Sequence, residues 1–139
     1  MSLNLWPVVR LKQPTAAWGM VTASNDISTT STTYVDMTDM ALTIVLPRPG
    51  LVLATFVGNF YHTSAGRVIN AQLYHGSLGA LGAPISLVLA STTDRHNQTT
   101  TALVMCPAGD NLFKVQWYTN VATAHVVQRC LWAVTVGGL

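Results

Sequence analysis

Apolar and polar residues alternate one by one along much of this chain, and turn-forming residues separate the alternating runs. In the segment FKVQW, which begins at Phe113, the first, third and fifth residues are apolar and the two between them are polar. A period of two places successive side chains on opposite faces of a β-strand, and no segment shows the period of 3.6 expected for an amphipathic helix. The pattern therefore predicts strands at residues 17–23, 30–36, 41–46, 51–61, 67–75, 84–91, 99–105, 112–119 and 125–136.

The final predicted strand differs from the others because it has no polar face. After Arg129, apolar residues occupy odd and even positions alike as far as Val136. A strand of this kind lies in the centre of a sheet or faces another subunit, and both interpretations are open. Together with the regular spacing of strands and turns, it predicts an all-β fold built as an antiparallel β-sandwich.

The segment SNDISTTSTTYVDMTDM has the composition of a linker between two domains. It holds three of the five acidic residues of the chain and many serines and threonines. A flexible linker would contain glycine, however, whereas threonine favours strands and Tyr34 falls at an alternating position. We therefore predict a hydroxyl-coated strand at residues 30–36, with turns at residues 25–26 and 38–39, and no domain boundary.

Residues 1–15 differ from the rest of the chain because Pro7 and Pro14 favour extended backbone there. We predict an extended N-terminal arm that precedes a single domain of residues 16–139. The arm either packs along the edge of its own domain or contacts another subunit.

The chain carries few charges for its size. Of its 139 residues, 9% are charged and 50% are hydrophobic, and the formal net charge is +2, whereas soluble domains typically contain ~25% charged residues. No apolar run reaches the ~18 residues of a membrane-spanning helix. Lysine and arginine also form no cluster of the kind that binds nucleic acid. We therefore predict no membrane or nucleic-acid partner, and a surface that is partly hidden in an oligomer.

No combination of residues indicates catalysis, a cofactor or a metal site. The histidines are predicted to lie in surface loops and lack the spacing that places two imidazoles on one metal ion; they are His62, His75, His96 and His125. Cys106 and Cys130 either form a disulfide or are buried free thiols, which is the favoured interpretation. No nucleophile motif, phosphate loop or catalytic pair of carboxylates is present. We therefore predict that the protein is not an enzyme.

Two segments are candidates for binding loops. HGSLGALGAP, residues 75–84, is predicted as a long mobile hairpin loop, or alternatively as a close contact between subunits. STTDRHNQTTT is predicted as an apical hairpin, which is either a plain solvated turn or a loop that binds a glycan or a partner. Its candidate residues are Asp94, Arg95, His96 and Asn97.

Aromatic residues fall on both sides of the predicted strands. Alternation places Phe113 and Trp117 inside, and Tyr74 and Tyr118 on the opposite face, where few charges lie near them. Because aromatic residues are enriched at subunit interfaces, the two tyrosines are candidate contacts in an oligomer, together with Trp132 of the doubly apolar strand. An ordinary second layer of core is the alternative.

The order of several segments resembles a known class of virion proteins. TTYVDM, ALTIVLPRPG, LVLATFVGNF, RVINAQLYHG, NLFKVQWYT and RCLWAVTV follow one another within residues 16–136. In this order they resemble the TNF/C1q-like jelly-roll proteins of tailed bacteriophages, a class that includes capsid decoration proteins and the tips of tail fibres. The resemblance implies a jelly-roll sandwich that forms a homotrimer, with Tyr74, Tyr118 and Trp132 at its interface.

The resemblance also implies a function and a location. We expect a decoration protein, made in the host cytoplasm, that lies on the capsid surface of the virion and stabilises the shell by binding the major capsid protein. The arm would then contact the capsid, with Trp6 as an anchor and with Arg10 and Lys12 against an acidic surface. The alternative is the receptor- or glycan-binding head of a tail fibre, which would use residues 94–97. The chain contains no fibrous shaft, which favours decoration.

Overall fold

Within residues 17–138, which the computed structural model describes, the chain forms nine β-strands in two antiparallel sheets. None of the described segments is a helix of the length and hydropathy needed to span a membrane. The strands are β1 (Trp18–Ala23), β2 (Ile27–Thr29), β3 (Val35–Leu46), β4 (Gly50–His62), β5 (Val68–His75), β6 (Gly79–Val88), β7 (His96–Cys106), β8 (Gly109–Thr119) and β9 (Ala124–Gly138).

The two sheets have five and four strands. The order in the five-stranded sheet is β1-β9-β4-β7, and the short β2 also pairs with β9. The order in the four-stranded sheet is β3-β8-β5-β6, and every pairing in both sheets is antiparallel. The architecture is therefore an all-β antiparallel sandwich of the jelly-roll type. The alternation of the sequence predicted the sandwich, and the resemblance implied the jelly roll.

The doubly apolar β9 lies in the middle of its sheet, between β4 on one side and β1 and β2 on the other. Leu131 and Ala133 are buried between the sheets, whereas Trp132 and Val134 alternate with them and face outward. The strand is thus central, and its outward side is apolar as well.

The core between the sheets contains four large rings that are fully buried: Trp117, Phe56, Phe60 and Phe113. The Phe60 ring centroid lies 6.2 Å from that of Phe56 and 6.4 Å from that of Trp117. The contact between Phe60 and Trp117 joins β4 of one sheet to β8 of the other. The burial of Phe113 and Trp117 confirms their predicted inward positions.

Gly58 separates the two phenylalanines of β4 and leaves room for both rings. A Cβ at this position would lie 2.8 Å from the Phe56 ring and 2.9 Å from the Phe60 ring. Both rings are held by the surrounding core, so neither can move away without disturbing close packing.

We expect Gly58→Ala to lower the free energy of unfolding by about 1–3 kcal/mol, the usual cost of overpacking a core. Urea titration followed by tryptophan fluorescence measures this change. Gly76→Ala is the matched control, because its added Cβ would approach Leu112 no closer than 3.4 Å, and it should change stability by less than about 1 kcal/mol. Equal effects of the two substitutions would contradict the packing role of Gly58.

The segment rich in serine and threonine is a turn, and the strand predicted at residues 30–36 is wrong over most of its length. The segment lies between the short β2 and β3, and its hydroxyl groups bond locally: Ser31 Oγ donates to Thr33 O over 2.6 Å. Such local hydrogen bonds compete with those of a sheet. The segment is still part of the domain, because Thr119 N donates to Ser31 O over 2.9 Å.

The turn predicted at residues 38–39 is a bulge within β3. The register with β8 shifts between Asp36 and Ala41, and Asp39 has a φ of 63°. Aspartate adopts this left-handed conformation more readily than most residues do. Asp39 Oδ2 lies 3.7 Å from Nη2 of Arg129, whose side chain is fully buried.

The glycine-rich segment of residues 75–84 is a tight turn followed by a strand, and not the long mobile loop predicted. His75 pairs directly with Gly79, so β6 begins within the segment. Gly79 and Gly82 have φ values of +85° and +65°, which residues with a side chain rarely adopt. A Cβ on Gly82 would also lie 3.0 Å from Thr101 O of β7. The glycines therefore allow close packing within the protein.

His62 and His75 are buried at the ends of β4 and β5, whereas surface loops were predicted for them. His62 Nδ1 accepts a hydrogen bond from Ser64 N over 2.9 Å, and its Nε2 lies 2.9 Å from Thr119 Oγ1. His75 also contacts a side-chain oxygen of β8, because its Nε2 lies 2.8 Å from Asn111 Oδ1. A ring nitrogen that accepts a backbone N–H carries no proton, so His62 is held in its neutral form.

The free energy of unfolding should fall as the pH is lowered below the ordinary pKa of histidine. Burial lowers the pKa of His62 below 6.5, so the unfolded chain binds more protons than the folded protein below that pH. We expect the free energy of unfolding to decrease from about pH 7 to about pH 5. His62→Gln should weaken this dependence, whereas His96→Gln, at an exposed position, should retain it. An unchanged pH profile for His62→Gln would show that another group is responsible.

Candidate assembly surface

The outward side of the five-stranded sheet is apolar over its central part. Two rows of residues cross the sheet in register: Trp18, Val134, Leu53 and Leu103 form one row, and Met20, Trp132, Thr55 and Thr101 form the next. Neither row contains a charged residue. We refer to these residues, together with Met105 of β7, as the apolar face.

The large side chains of the apolar face are open to solvent. Trp18 is 68% exposed, Leu103 is 58%, Met20 is 56% and Met105 is 46%. Monomeric soluble proteins seldom leave contiguous apolar surface uncovered, and interface cores are enriched in Trp and Met and depleted in charge. The face therefore has the composition of a contact with another protein surface.

The outward direction of the β1 side chains is fixed by Gly19. A Cβ on Gly19 would lie 3.3 Å from side-chain atoms of Leu42 and Ile44, so this residue faces the core. Strand alternation then directs Trp18 and Met20 outward. Beside them lies a shallow apolar groove between β1 and β9, lined by Trp18, Gly19, Met20, Trp132, Ala133 and Val134.

Four polar side chains form a cluster near one end of the same sheet. Asp26 accepts hydrogen bonds from the Tyr61 hydroxyl and from His125 Nδ1, the latter over 2.9 Å. The rings of Tyr61 and His125 stack with their centroids 4.3 Å apart, and Arg95 Cζ lies 4.6 Å from the centroid of Tyr61. Partial burial acts to raise the pKa of Asp26, but the hydrogen bonds outweigh it and leave the pKa below its ordinary value. The cluster ties β4 and β9 to two neighbouring connections.

The outward side of the four-stranded sheet is polar and aromatic instead. Six residues of β3, β5 and β8 meet there in register: Asp36, Gln72, Tyr74, Lys114, Gln116 and Tyr118. We refer to them as the tyrosine–amide face. It lies on the opposite side of the sandwich from the apolar face.

A hydrogen-bonded network joins the polar members of the tyrosine–amide face. Lys114 Nζ lies 3.0 Å from Asp36 Oδ1, and Gln116 Nε2 donates to that oxygen over 3.0 Å. Gln72 Nε2 in turn donates to Gln116 Oε1 over 3.0 Å. Lys114 Nζ also lies 5.2 Å from the centroid of Tyr74. Hydrogen bonds from Gln116 and Lys114 lower the pKa of Asp36, so its carboxylate stays ionised.

The residues predicted as subunit contacts are divided between the two sides of the sandwich. Tyr74 and Tyr118 belong to the tyrosine–amide face, whereas Trp132 belongs to the apolar face. The structure therefore does not bring the three together on one surface. The predicted arm, with Trp6, Arg10 and Lys12, lies outside the described residues.

The segment predicted as an apical hairpin is a crossing between the sheets. Asp94 and Arg95 lie in the connection from β6 to β7, and His96 and Asn97 are the first residues of β7. Because β6 and β7 belong to different sheets, the connection cannot be a hairpin. Asp94 Oδ2 holds the turn by accepting a hydrogen bond from Ser91 N over 3.1 Å.

The sequence reasoning missed the four large apolar side chains of the apolar face that are exposed: Trp18, Met20, Leu103 and Met105. The signal was present in β7, where Leu103 and Met105 alternate with Ala102 and Cys106, so both sides of the strand are apolar. Threonines earlier in the same strand made its outward side look solvated.

Candidate chemistry is sparse in the part of the chain that the structure describes. Among residues 17–138, no three His, Cys, Asp or Glu side chains gather in a way that could hold a metal ion. Cys106 and Cys130 are free, as the favoured interpretation predicted, and burial raises the pKa of both thiols. Cys106 is fully buried, whereas Cys130 is half-buried.

These features define a jelly-roll sandwich with one apolar and one polar outward side. No protein-family model and no curated protein matches the chain. Among solved structures, VP2 of infectious bursal disease virus in a subviral particle aligns with 99% of this chain, at 13% identity and a TM-score of 0.57. A structure of the Gt strain of the same virus aligns with 87% of it, at 11% identity and a TM-score of 0.58. The chain spans about a third of the length of these viral chains, 37% and 33%.

A TNF protein has the same fold at nearly the same length. Eiger TNF from S. frugiperda aligns with 88% of this chain and with 95% of its own, at 9% identity and a TM-score of 0.57. Similarity at these identities establishes the jelly-roll fold and leaves function to be argued from the chain's own surfaces.

Proposed function

We propose that the protein is a homotrimeric structural protein of a virion, which decorates a bacteriophage capsid and stabilises it. The apolar face carries this proposal. Burying an exposed Leu, Met or Trp side chain contributes about 1.5–3 kcal/mol, and the face offers four such side chains that are roughly half exposed or more. Association that covers them has a large driving force, whereas no described group points to catalysis, and we propose no enzymatic activity.

The extent of the apolar face supports a ring of three copies. Trp18 and Met20 lie on β1 at one edge of the sheet, and Leu103 and Met105 lie on β7 at the other. A closed ring needs two different contact surfaces on each copy, whereas a twofold dimer needs one self-complementary patch. An apolar surface that reaches both edges fits the ring. The trimer that the TNF/C1q resemblance implies has the same requirement.

The fold supports the proposed place of the protein on a capsid. A part of VP2 in the subviral particle of infectious bursal disease virus has the same fold, so this fold occurs in a viral particle. We propose that the trimer binds the major capsid protein on the virion surface after synthesis in the host cytoplasm. The predicted contact is the arm, with Trp6, Arg10 and Lys12.

The second candidate function is the receptor- or glycan-binding head of a tail fibre. The tyrosine–amide face favours it, because aromatic rings beside fixed amide groups are typical of recognition surfaces. Both functions use the same trimer, and they differ in whether the purified protein adds to capsids or to host cells.

We expect Leu103→Asp to dissociate the trimer into folded monomers, because a buried carboxylate at the contact would lack a partner. Val88→Asp is the matched control: Val88 is also 58% exposed and also lies on an edge strand, but in the four-stranded sheet. Size-exclusion chromatography with light scattering should give a trimer for the wild type and for Val88→Asp. A monomeric wild type, or equal dissociation of both variants, would refute the proposed interface.

The thiol of Cys130 provides a second measurement of the same contact. Cys130 pairs with Thr22 and Val57 beside the apolar face, and it is half-buried in the single chain. We expect a thiol reagent to modify Cys130 in the Leu103→Asp monomer at least about tenfold faster than in the wild type, because the trimer covers it. The buried Cys106 is the internal control and should remain slow in both.

Binding to capsids is tested by cosedimentation of the purified protein with capsids that lack it. We expect a saturating copy number that is a multiple of three, and binding by Val88→Asp but not by the monomeric Leu103→Asp. A trimer that forms normally yet never sediments with capsids would remove the decoration function and leave the receptor-binding head.

A further inference from the structure

We propose that the tyrosine–amide face is a binding site for an uncharged oligosaccharide. The site lies on β3, β5 and β8, so it does not depend on the loop at residues 94–97 or on the apolar face. The juxtaposition that carries the proposal is a row of linked amide and carboxylate groups that crosses three strands, with a tyrosine ring on either side of it.

The polar groups of the site are fixed in position before any ligand arrives. Gln72, Gln116 and Asp36 stand side by side on three neighbouring strands and are joined by hydrogen bonds of 3.0 Å. Lys114 also restrains the carboxylate of Asp36, because its Nζ lies 3.0 Å from Oδ1 and 3.1 Å from Oδ2. Because β8 and β5 are the inner strands of the four-stranded sheet, their backbone is held on both edges. Fixed groups of this kind lose little conformational freedom when a ligand binds.

Hydrogen-bonding capacity remains on the exposed side of the network. Within residues 17–138, Gln72 Oε1 and the hydroxyl groups of Tyr74 and Tyr118 make no hydrogen bond to the protein. The Asp36 side chain is 61% exposed, so its oxygens can accept further donors. Amides, hydroxyls and a carboxylate in one row can donate to and accept from the same ligand. Neighbouring hydroxyl groups of a sugar ring present this mixture of donors and acceptors.

The two tyrosine rings supply the apolar part of the site. Tyr74 and Tyr118 flank the row on opposite sides, each two residues along its strand from a glutamine of the row. Tyr74 lies beside Lys114, and Tyr118 packs against the ring of Tyr34, with the centroids of the two tyrosine rings 4.7 Å apart. Both rings are half-buried and therefore offer part of their surface to solvent. An amphipathic ring with a polar tip suits a ligand that has both C–H faces and hydroxyl groups.

The size and charge of the site select among ligands. Tyr74 pairs with Lys114, which lies four residues from Tyr118 on β8. The two tyrosines are therefore separated along the strands by about 13–14 Å, at ~3.4 Å per residue. This span exceeds a single sugar ring, so an oligosaccharide is required to reach both tyrosines. The charges of Lys114 and Asp36 pair with each other and leave the site neutral. A sialylated or sulfated glycan would find no free cation there, which favours an uncharged ligand.

The test uses the full-length protein and a panel of immobilised oligosaccharides. The panel holds neutral hexose and N-acetylhexosamine oligomers, their monosaccharides, and sialylated and sulfated glycans for comparison. The neutral oligomer with the strongest signal is then titrated calorimetrically into the wild type and its variants. We expect neutral oligomers to bind better than monosaccharides and better than charged glycans.

Substitutions in the site should weaken this binding selectively. Tyr74→Ala and Gln116→Ala are each expected to raise the Kd by about tenfold or more, the loss of one or two hydrogen bonds or of a stacking ring. Tyr74→Phe keeps the ring and should lose less. Gln128→Ala, at an exposed glutamine of β9 in the other sheet, is the matched control and should leave the Kd within about twofold. The unfolding midpoint and oligomeric mass of each variant show that its fold is retained.

Several results would overturn the proposal. They are the absence of binding to any neutral oligosaccharide, binding to charged glycans alone, and binding that survives both Tyr74→Ala and Gln116→Ala. Equal loss of binding in Gln128→Ala would show that the ligand binds elsewhere, and it would also overturn the proposal. None of these results bears on the trimer, which is measured separately by its mass, so failure of this site and failure of the proposed assembly are distinguishable.

Discussion

The antiparallel pairing of β9 with β4 is the interaction on which the rest of the structure depends. It fixes which side chains of both strands face the core and which face outward. Slipping the register by one residue would exchange Leu131 and Ala133 for Trp132 and Val134, and so move a tryptophan into a space filled by an alanine. The register is continuous from Val52 to Gly58 and shifts on either side of this segment, between Leu51 and Val52 and between Gly58 and Phe60. The register of β9 with β4 therefore determines both which side chains form the core and which form the apolar face.

Sequence reasoning predicted the strands well where one side of a strand is buried and the other faces solvent, because apolar and polar residues then alternate. In β8, the residues of one side are buried and those of the other are not, so alternation alone placed Phe113 and Trp117 correctly. Prediction failed where local chemistry competes with the sheet. The hydroxyl of Ser31 closes a turn on Thr33, and two glycines with positive φ allow a strand where a loop was expected. Neither the turn at Ser31 nor the strand that begins at Gly79 can be derived from the spacing of apolar residues.

The candidate surfaces were harder to predict because each combines strands that are distant in sequence. Tyr74 and Tyr118 were recognised as outward residues, but Asp36 joins them only because β3 pairs with β8. Trp132 was grouped with them because the two sides of the sandwich cannot be told apart without the strand order. The buried histidines were misplaced for a related reason, since the partners of His62 and His75 lie on β8. The two outward sides thus have different chemistry, one suited to association and one to recognition, and both became visible only with the topology.

The absence of charge from the two rows of the apolar face has a consequence for the kinetics of association through it. Oppositely charged surfaces attract each other over the Debye length, about 8 Å at physiological salt, and accelerate their encounter. The two rows of the apolar face contain no charge, so the association of copies proposed for this face would proceed by unassisted diffusion, with rate constants of about 10⁵–10⁶ M⁻¹s⁻¹. The speed of assembly is then governed by the local concentration of chains and is largely insensitive to ionic strength. The proposed assembly would therefore be fastest where many copies are made in a short time.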